Sequence, residues 1–446
     1  MTIRQQKKLI FVLFIISILV TGCSTGKSSV IESGKPLSMF IATDIHYLAD
    51  SIHDNGKSYQ NFCFIGDGRM IQYVNDIVDA FGYEIKINKP DILIISGDLT
   101  TNGEKASHLK LAEKLKEIEK STGTRIYVIP GNHDISNPWA SGFQGEGRYK
   151  IPSVSPSEFK KIYKNFGYGE AISKDKHSLS YLAAPSKDVW LLMLDTCEYQ
   201  LNKKTGTPVT NGQISESTLK WIKKCCKEAQ KKNARIVTVM HHNLYDHSSR
   251  IHYGFTLDNN EEAEKVFREN NLDLVLSGHI HIQNIKSREE SGKSIYDVTT
   301  ASLIMYPLQY GVLKYTPGSG FDYSTSQVDV DTWARETGIT NNILTNFMSY
   351  SKLFLTDNTY RKVYTALTKT GLYTEDEKDA MAETMSLLNV NYLKGTADSV
   401  KDAIICSKGY KLWMKASEIE DLEPLRSYLL SMIPHNDTNN NSLHID

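Results

Sequence analysis

A chain of 446 residues with 40% hydrophobic and 23% charged residues has the composition of a folded globular protein and exceeds the length of one ordinary core, so two domains are expected. A formal net charge of -1 and a pI near 6.9 exclude the basic footprint of a protein that binds a nucleic-acid polymer. A small anionic substrate remains compatible with that balance, because a bound metal supplies its own local charge.

The chain opens with Arg4, Lys7 and Lys8 ahead of an apolar run from Leu9 to Val20, which is short for a bilayer span and suits the h-region of a secretory signal over residues 1–22. The run ends in Val20-Thr21-Gly22-Cys23, which resembles the bacterial lipobox. That resemblance implies cleavage before Cys23, diacylglycerol on its sulfur, and a protein held by lipid on the extracytoplasmic face of the bacterial cell membrane. Residues 23–36, rich in Ser, Gly and Lys, read as a tether. Cys63, Cys197, Cys225, Cys226 and Cys406 lack CxxC spacing, so neither a disulfide framework nor a thiolate metal site is indicated.

Met39 to Thr43 is a strand leading into Asp44-Ile45-His46. A helical stripe over residues 70–81 follows, then Ile92 to Ile95, apolar on both faces as in a covered sheet, stopping through Gly97 at Asp98. The next helix carries Leu109, Ala112, Leu115 and Ile118 on one face and is stopped by Gly123. Arg125 to Pro130 is a strand running into Gly131-Asn132-His133-Asp134, and residues 137–156 read as an irregular rim or lid. Val189 to Leu194 is a strand, Ser215 to Lys232 an amphipathic helix, and Arg235 to Met240 the strand that delivers His241-His242. Adjacent side chains on a strand point to opposite faces, so at most one of this pair faces a shared site. Leu272 to Ser277 ends in Gly278-His279-Ile280-His281, and extended backbone there puts both histidines on one face. Taken singly, a Gly-Asp or His at a strand end is more often a turn than a site. Their recurrence after successive strands of an α/β layer pattern reverses that weighting.

The ordered set DxH, GD, GNHD, H, GHxH resembles the calcineurin-like metallophosphoesterase family over about residues 37–315. The resemblance implies an αββα sandwich of two mixed β-sheets flanked by helices, here followed by a helical C-terminal domain. It implies two metal ions (Mn, Fe or Zn), one held by Asp44, His46 and His281, the other by Asn132, His241 and His279, with Asp98 bridging. Imidazole, carboxylate and amide oxygen without thiolate agree with that choice of metals. His133 is left as the proton donor to the leaving oxygen, with Asp134 either the group that orients it or a residue of a surface turn. The implied reaction is attack by metal-bridged hydroxide on a P–O ester. The lipidated two-part arrangement resembles bacterial cyclic-nucleotide phosphodiesterases; a broad phosphomonoesterase or nucleotidase, and a non-catalytic metal- or ligand-binding surface lipoprotein, are the alternatives.

The catalytic domain is expected to span residues 37–330, closing with strands over residues 311–330 about a Pro317-Gly318 turn. From Asp331 the pattern becomes helical: a stripe at Ile343, Leu344, Phe347 and Met348, a Thr374/Glu377 capping box ahead of Met381, Met385 and Leu388, and Pro424 opening a last helix with Leu425 and Leu429. His435 to Asp446 reads as a disordered polar tail.

Overall fold

The computed structural model describes residues 30–434 and 439–446. The expected signal, the expected lipidation at Cys23 and most of the expected tether fall outside the described residues. Among the described residues, no helix is long and apolar enough to cross a membrane.

The strands run in chain order as β1 (Leu37–Ala42), β2 (Ile92–Ser96), β3 (Arg125–Ile129), β4 (Ser141–Gln144), β5 (Gly147–Lys150), β6 (Ser173–Lys174), β7 (Tyr181–Ala183) and β8 (Val189–Met193). They continue as β9 (Arg235–Val239), β10 (Leu274–Ser277), β11 (Asn284–Glu290), β12 (Lys293–Thr299), β13 (Gln309–Thr316), β14 (Gly320–Gln327) and β15 (Ser442–Ile445). One sheet has the order β15-β14-β13-β1-β2-β3, a second β11-β12-β10-β9-β8-β7-β6. Both are mixed: β1, β2 and β3 are mutually parallel, as are β8, β9, β10 and β12, with antiparallel strands added outside them.

The alternation along β8 explains the layering. Val189, Leu191 and Met193 join the core shared with β1, β2 and β3, while Trp190 and Leu192 pack with the helix Glu216–Lys231. A strand buried on both faces reads as a continuous apolar run, which is why VWLLM carries no polar residue. The outer face of the first sheet is covered by the helices Val74–Asn88 and Lys105–Thr122. Two packed sheets with helices outside them make the sandwich that the sequence implied.

Local differences have physical causes. The helix Lys105–Thr122 buries Ser107, His108, Leu111 and Leu115, while Leu109 is half exposed, so its inward stripe is rotated relative to the one drawn through Leu109. The rotation follows from His108, whose neutral ring is fully hydrogen bonded and therefore takes a core position. Residues 137–156 are not wholly irregular: β4 and β5 form a hairpin there. The tail also differs from expectation. Ser442–Ile445 pairs antiparallel with β14, because residues 321–324 offered an unpaired strand edge.

Beyond β14 the chain is helical. The capping box is present, with Glu377 N–H donating to the Thr374 hydroxyl and Thr374 N–H to the Glu377 carboxylate. Met381, Met385 and Leu388 pack with Leu355, Trp413 and Leu429 in a core that also takes in Ile280 and Ile282. The residue between His279 and His281 is thus held by the helical region. Among the described residues every cysteine is free, and Cys226 is buried in the core with Leu219 and Ile222.

Candidate metal centre

Five strands, parallel to their neighbours within each sheet, deliver the polar clusters from their carboxyl ends: β1 to Asp44 and His46, β2 to Asp98, β3 to Asn132 and His133, β9 to His241, β10 to His279 and His281. Backbone hydrogen bonds carry the pairing past the strand ends. Asp44 N–H donates to Gly97 O at 3.1 Å, His46 N–H to Asp98 O at 2.9 Å, and Gly278 N–H to His241 O at 3.0 Å.

The loops turn sharply there. Asp44, His46, Asp98, His279 and His281 all have positive φ, between 44° and 71°. Left-handed backbone costs a non-glycine residue about 1 kcal/mol or more. Five such residues at one place mark a site whose geometry is imposed by the surrounding fold. It also corrects the expectation for GHxH, since His279 and His281 are not on extended backbone and reach different clusters. Two glycines leave room for the ligands. A Cβ on Gly97 (φ +101°) would lie 2.5 Å from His241 Nδ1, and one on Gly278 would lie 2.8 Å from Asp44 Oδ2.

The side chains converge in two overlapping sets, Asp44 with His46 and His281, and Asp98 with His241 and His279. Asp98 also closes a set with His46 and His133, so its carboxylate stands between the two. Its Oδ1 is 3.5 Å from His241 Nε2 and its Oδ2 3.8 Å from His46 Nε2. Asn132 joins the second set through Oδ1, 3.2 Å from His241 Nε2. Of the pair His241-His242, only His241 faces the centre. His242 is buried, bonded through Nδ1 to the Thr196 hydroxyl at 2.7 Å and through Nε2 to Thr210 O at 2.8 Å.

The donor set fits two cations. Asp44 Oδ2 accepts from His279 N–H at 2.9 Å and from Thr43 Oγ1 at 2.7 Å, while Oδ1 is buried without a hydrogen-bond partner. That bare oxygen lies 3.2 Å from His281 Nε2, which in turn is 3.2 Å from His46 Nε2. Three convergent acceptor-capable atoms in a buried space are what a cation requires. In the second set His241 Nδ1 is turned to Ser96 O at 2.9 Å and His279 Nε2 to Gly254 O at 2.9 Å, leaving Nε2 of the one and Nδ1 of the other for a metal.

The charges follow the geometry. Burial works to raise Asp98, but His241 and His133 beside it hold its carboxyl well below the usual range. Burial likewise opposes the His241 imidazolium, yet Asp98 outweighs it and lifts that group to about 9. Burial keeps His46, His279 and His133 below the ordinary histidine value.

His133 sits at the mouth. Its Nδ1–H donates to Thr101 O at 2.6 Å and its backbone N–H to Asp98 Oδ1 at 2.9 Å, which leaves Nε2 free, 3.9 Å from Asp98 Oδ2. Asp134 does not orient that ring. It is fully buried and its two oxygens accept from the backbone N–H groups of Leu99, Thr100 and Gly131 and from the Thr100 hydroxyl, at 2.8 to 3.0 Å. It ties the Asp98 loop to the Asn132 loop. Arg69 belongs to none of the motif blocks and carried no signal in the sequence, but its charge bears on both His46 and His133.

Sequence comparison agrees with the geometry. Residues 38–283, more than half of the chain, match the calcineurin-like phosphoesterase family, and the protein belongs to that family, which uses two metal ions. Residues 329–439 match the C-terminal domain of cyclic nucleotide phosphodiesterase. No curated protein sequence matches the chain. Similar solved structures include a dimetal phosphatase from Danio rerio, at 12% identity over 65% of this chain and 95% of that one, with a TM-score of 0.45. GAP50 of Plasmodium, described as the anchor in the inner membrane complex, is 12% identical over 66% of this chain and 85% of its own, TM-score 0.38. A putative 5′-nucleotidase from Staphylococcus aureus, in complex with alpha-ketoglutarate, is 11% identical over 63% of this chain and 51% of that one, TM-score 0.35. At those identities and scores the likenesses carry no conclusion about activity.

Proposed function

We propose that the protein is a phosphodiesterase whose substrate is a cyclic nucleotide. The observation that carries the hydrolytic reading is the Asp98 carboxylate, which presents one oxygen to each of two buried ligand sets. The choice of substrate is supported by the match of residues 329–439 to a domain of cyclic nucleotide phosphodiesterase.

Asp44, His46 and His281 would hold one cation, Asn132, His241 and His279 the other, with Asp98 shared. Two bound cations supply positive charge that polarises a phosphoryl group and activates water near neutral pH. The chain's own part is to orient and to move a proton. The Thr101 carbonyl takes the Nδ1–H of His133 and so fixes the direction of the ring, and in the imidazolium form its Nε2–H is the proton delivered to the leaving oxygen. Asp134 holds the Asp98 and Asn132 loops in register.

The test compares turnover of 3′,5′-cyclic nucleotides, bis(4-nitrophenyl) phosphate and 4-nitrophenyl phosphate by protein reconstituted with Mn. Faster turnover of the diesters is expected; a preference for 4-nitrophenyl phosphate would favour a phosphomonoesterase. Asp98→Asn should abolish hydrolysis, and full activity of a metal-loaded Asp98→Asn protein would overturn the site. Stoichiometric metal without turnover of any ester would make the protein a binding protein. We also propose a lipid anchor at Cys23, supported by the sequence of residues 4–23. Labelling with radioactive palmitate that persists in Cys23→Ala would refute it.

A further inference from the structure

We propose that Arg69 binds the non-bridging phosphoryl oxygens of the substrate beside the metal centre. The inference rests on the phosphoesterase reading and adds to it a residue outside the family's ligand blocks.

Arg69 follows a tight turn at Gly66–Gly68, after the helix Lys57–Phe64. Hydrogen bonds connect that turn to the metal ligands. Met70 N–H donates to Ile304 O at 2.9 Å; its neighbour Leu303 donates to Thr43 O at 3.1 Å, and the Ser302 hydroxyl to Asp44 O at 2.8 Å. Arg69 is therefore one residue from a chain of contacts that ends at a ligand loop. The acids whose charge it feels most are Asp67, Asp98 and Asp44, two of which are ligands.

Among the described residues its guanidinium makes a single hydrogen bond, Nε–H to Gly66 O at 3.0 Å, and no ion pair. That bond holds the stem while both terminal nitrogens keep their hydrogens for a ligand. The side chain is half buried, and a partly desolvated cation normally acquires a partner. Asp44 and Asp98 do not supply one, because their oxygens are turned to histidines and backbone N–H groups. A guanidinium fork matches two oxygens of a phosphoryl group better than a point charge does. His46 and His133 flank the place where that group must lie to meet both the ligands and the proton donor, and both feel Arg69.

The turn is also backed from outside. A Cβ on Gly68 (φ +88°) would lie 2.7 Å from Leu355 Cδ1, and Asp67 pairs with Lys362; Leu355 and Lys362 both lie on the long helix Phe347–Thr370. The helical region thereby fixes where the fork stands, and this links it to substrate binding.

The experiment measures binding of inorganic phosphate to the metal-reconstituted protein by calorimetry, with metal content determined in parallel and KM for bis(4-nitrophenyl) phosphate as a second readout. In Arg69→Ala the Kd for phosphate is expected to rise tenfold or more with metal content unchanged, and Arg69→Lys should recover part of it. A Kd and KM within twofold of the wild type in Arg69→Ala would overturn the inference, as would a loss that tracks metal content. If Arg69→Ala is insoluble, Arg69→Lys decides alone: it keeps the charge and loses the fork, so phosphate affinity equal to the wild type would refute a bidentate role. Arg69-dependent phosphate binding by a wild-type protein that turns over no ester would sustain this inference while sinking the phosphoesterase reading, so the two fail separately.

Discussion

Asp134→Asn tests whether the carboxylate next to His133 is a proton-transfer group or the fastener of two ligand loops. The substitution conserves volume and replaces one oxygen by an NH2 group. In the wild type Oδ1 accepts from the Thr100 backbone N–H and hydroxyl, both at 2.9 Å, and Oδ2 from Leu99 N–H at 3.0 Å and Gly131 N–H at 2.8 Å. Whichever oxygen becomes nitrogen, two buried donors lose their acceptor and face another donor. A buried unsatisfied group costs about 1 to 3 kcal/mol, so the pair costs roughly 2 to 6 kcal/mol. Some of this returns, since burial and then the charge of Asp98 push the Asp134 carboxyl up and the amide buries no charge. A net loss of about 2 kcal/mol is expected, which lowers Tm by roughly 2 °C in a chain of this size. The loops bearing Asp98 and Asn132 loosen together, and supporting residues of this kind are worth about 10- to 100-fold in metal affinity. Differential scanning fluorimetry, metal analysis after dialysis and turnover of bis(4-nitrophenyl) phosphate read the three effects. Unchanged Tm and metal content with turnover abolished would refute the fastening role and return Asp134 to proton transfer.

Removing the proton donor should leave the centre intact: His133→Ala is expected to keep both metals and its Tm while kcat falls about 10²- to 10⁴-fold, and loss of metal would contradict that assignment. Metal loading should release protons, because His241 is lifted to about 9 in the metal-free protein and must be neutral to ligate. Apparent affinity then rises about tenfold per pH unit between 7 and 9, and calorimetry in two buffers of different ionisation enthalpy that finds no proton release would count against it. His108 makes the fold acid-sensitive. Burial depresses it from 6.5 to about 4, so between those values the unfolded chain takes up a proton that the folded one refuses, and stability falls as pH falls through that window by about 3 kcal/mol in total. Tm should drop more steeply from pH 6.5 to 4 in the wild type than in His108→Gln; equal slopes would refute it.

The residues of the candidate metal centre could be picked out because strand ends carry them, and strands buried on both faces announce themselves as VWLLM or ILIIS. What lay between sequence neighbours was less so. The two histidines of GHIH share a face on extended backbone, but positive φ at both turns them to separate sets. Periodicity pointed at Leu109, whereas His108 takes the inside because Tyr163 and the Asp134 carbonyl satisfy its ring. Asp134 looked like a partner for its neighbour, and only the folded loops show its four donors. Arg69 and the strand Ser442–Ile445 gain their meaning from contacts with residues far away in sequence, which no local pattern encodes.

That last strand has a consequence for self-association. β14 would otherwise present a row of free N–H and C=O groups along residues 321–324, a template on which a second chain could add a strand. β15 covers it with four residues, and its outer side is a poor template in turn: it is short and carries His444, which bonds to Asp322 at 2.7 Å and lies 3.2 Å from Asp446. Cutting the helical region away at residue 331 would discard β15 as well and bare the β14 edge. A truncated protein that aggregates would then report on an uncapped sheet, and say nothing about what the helices contribute to catalysis.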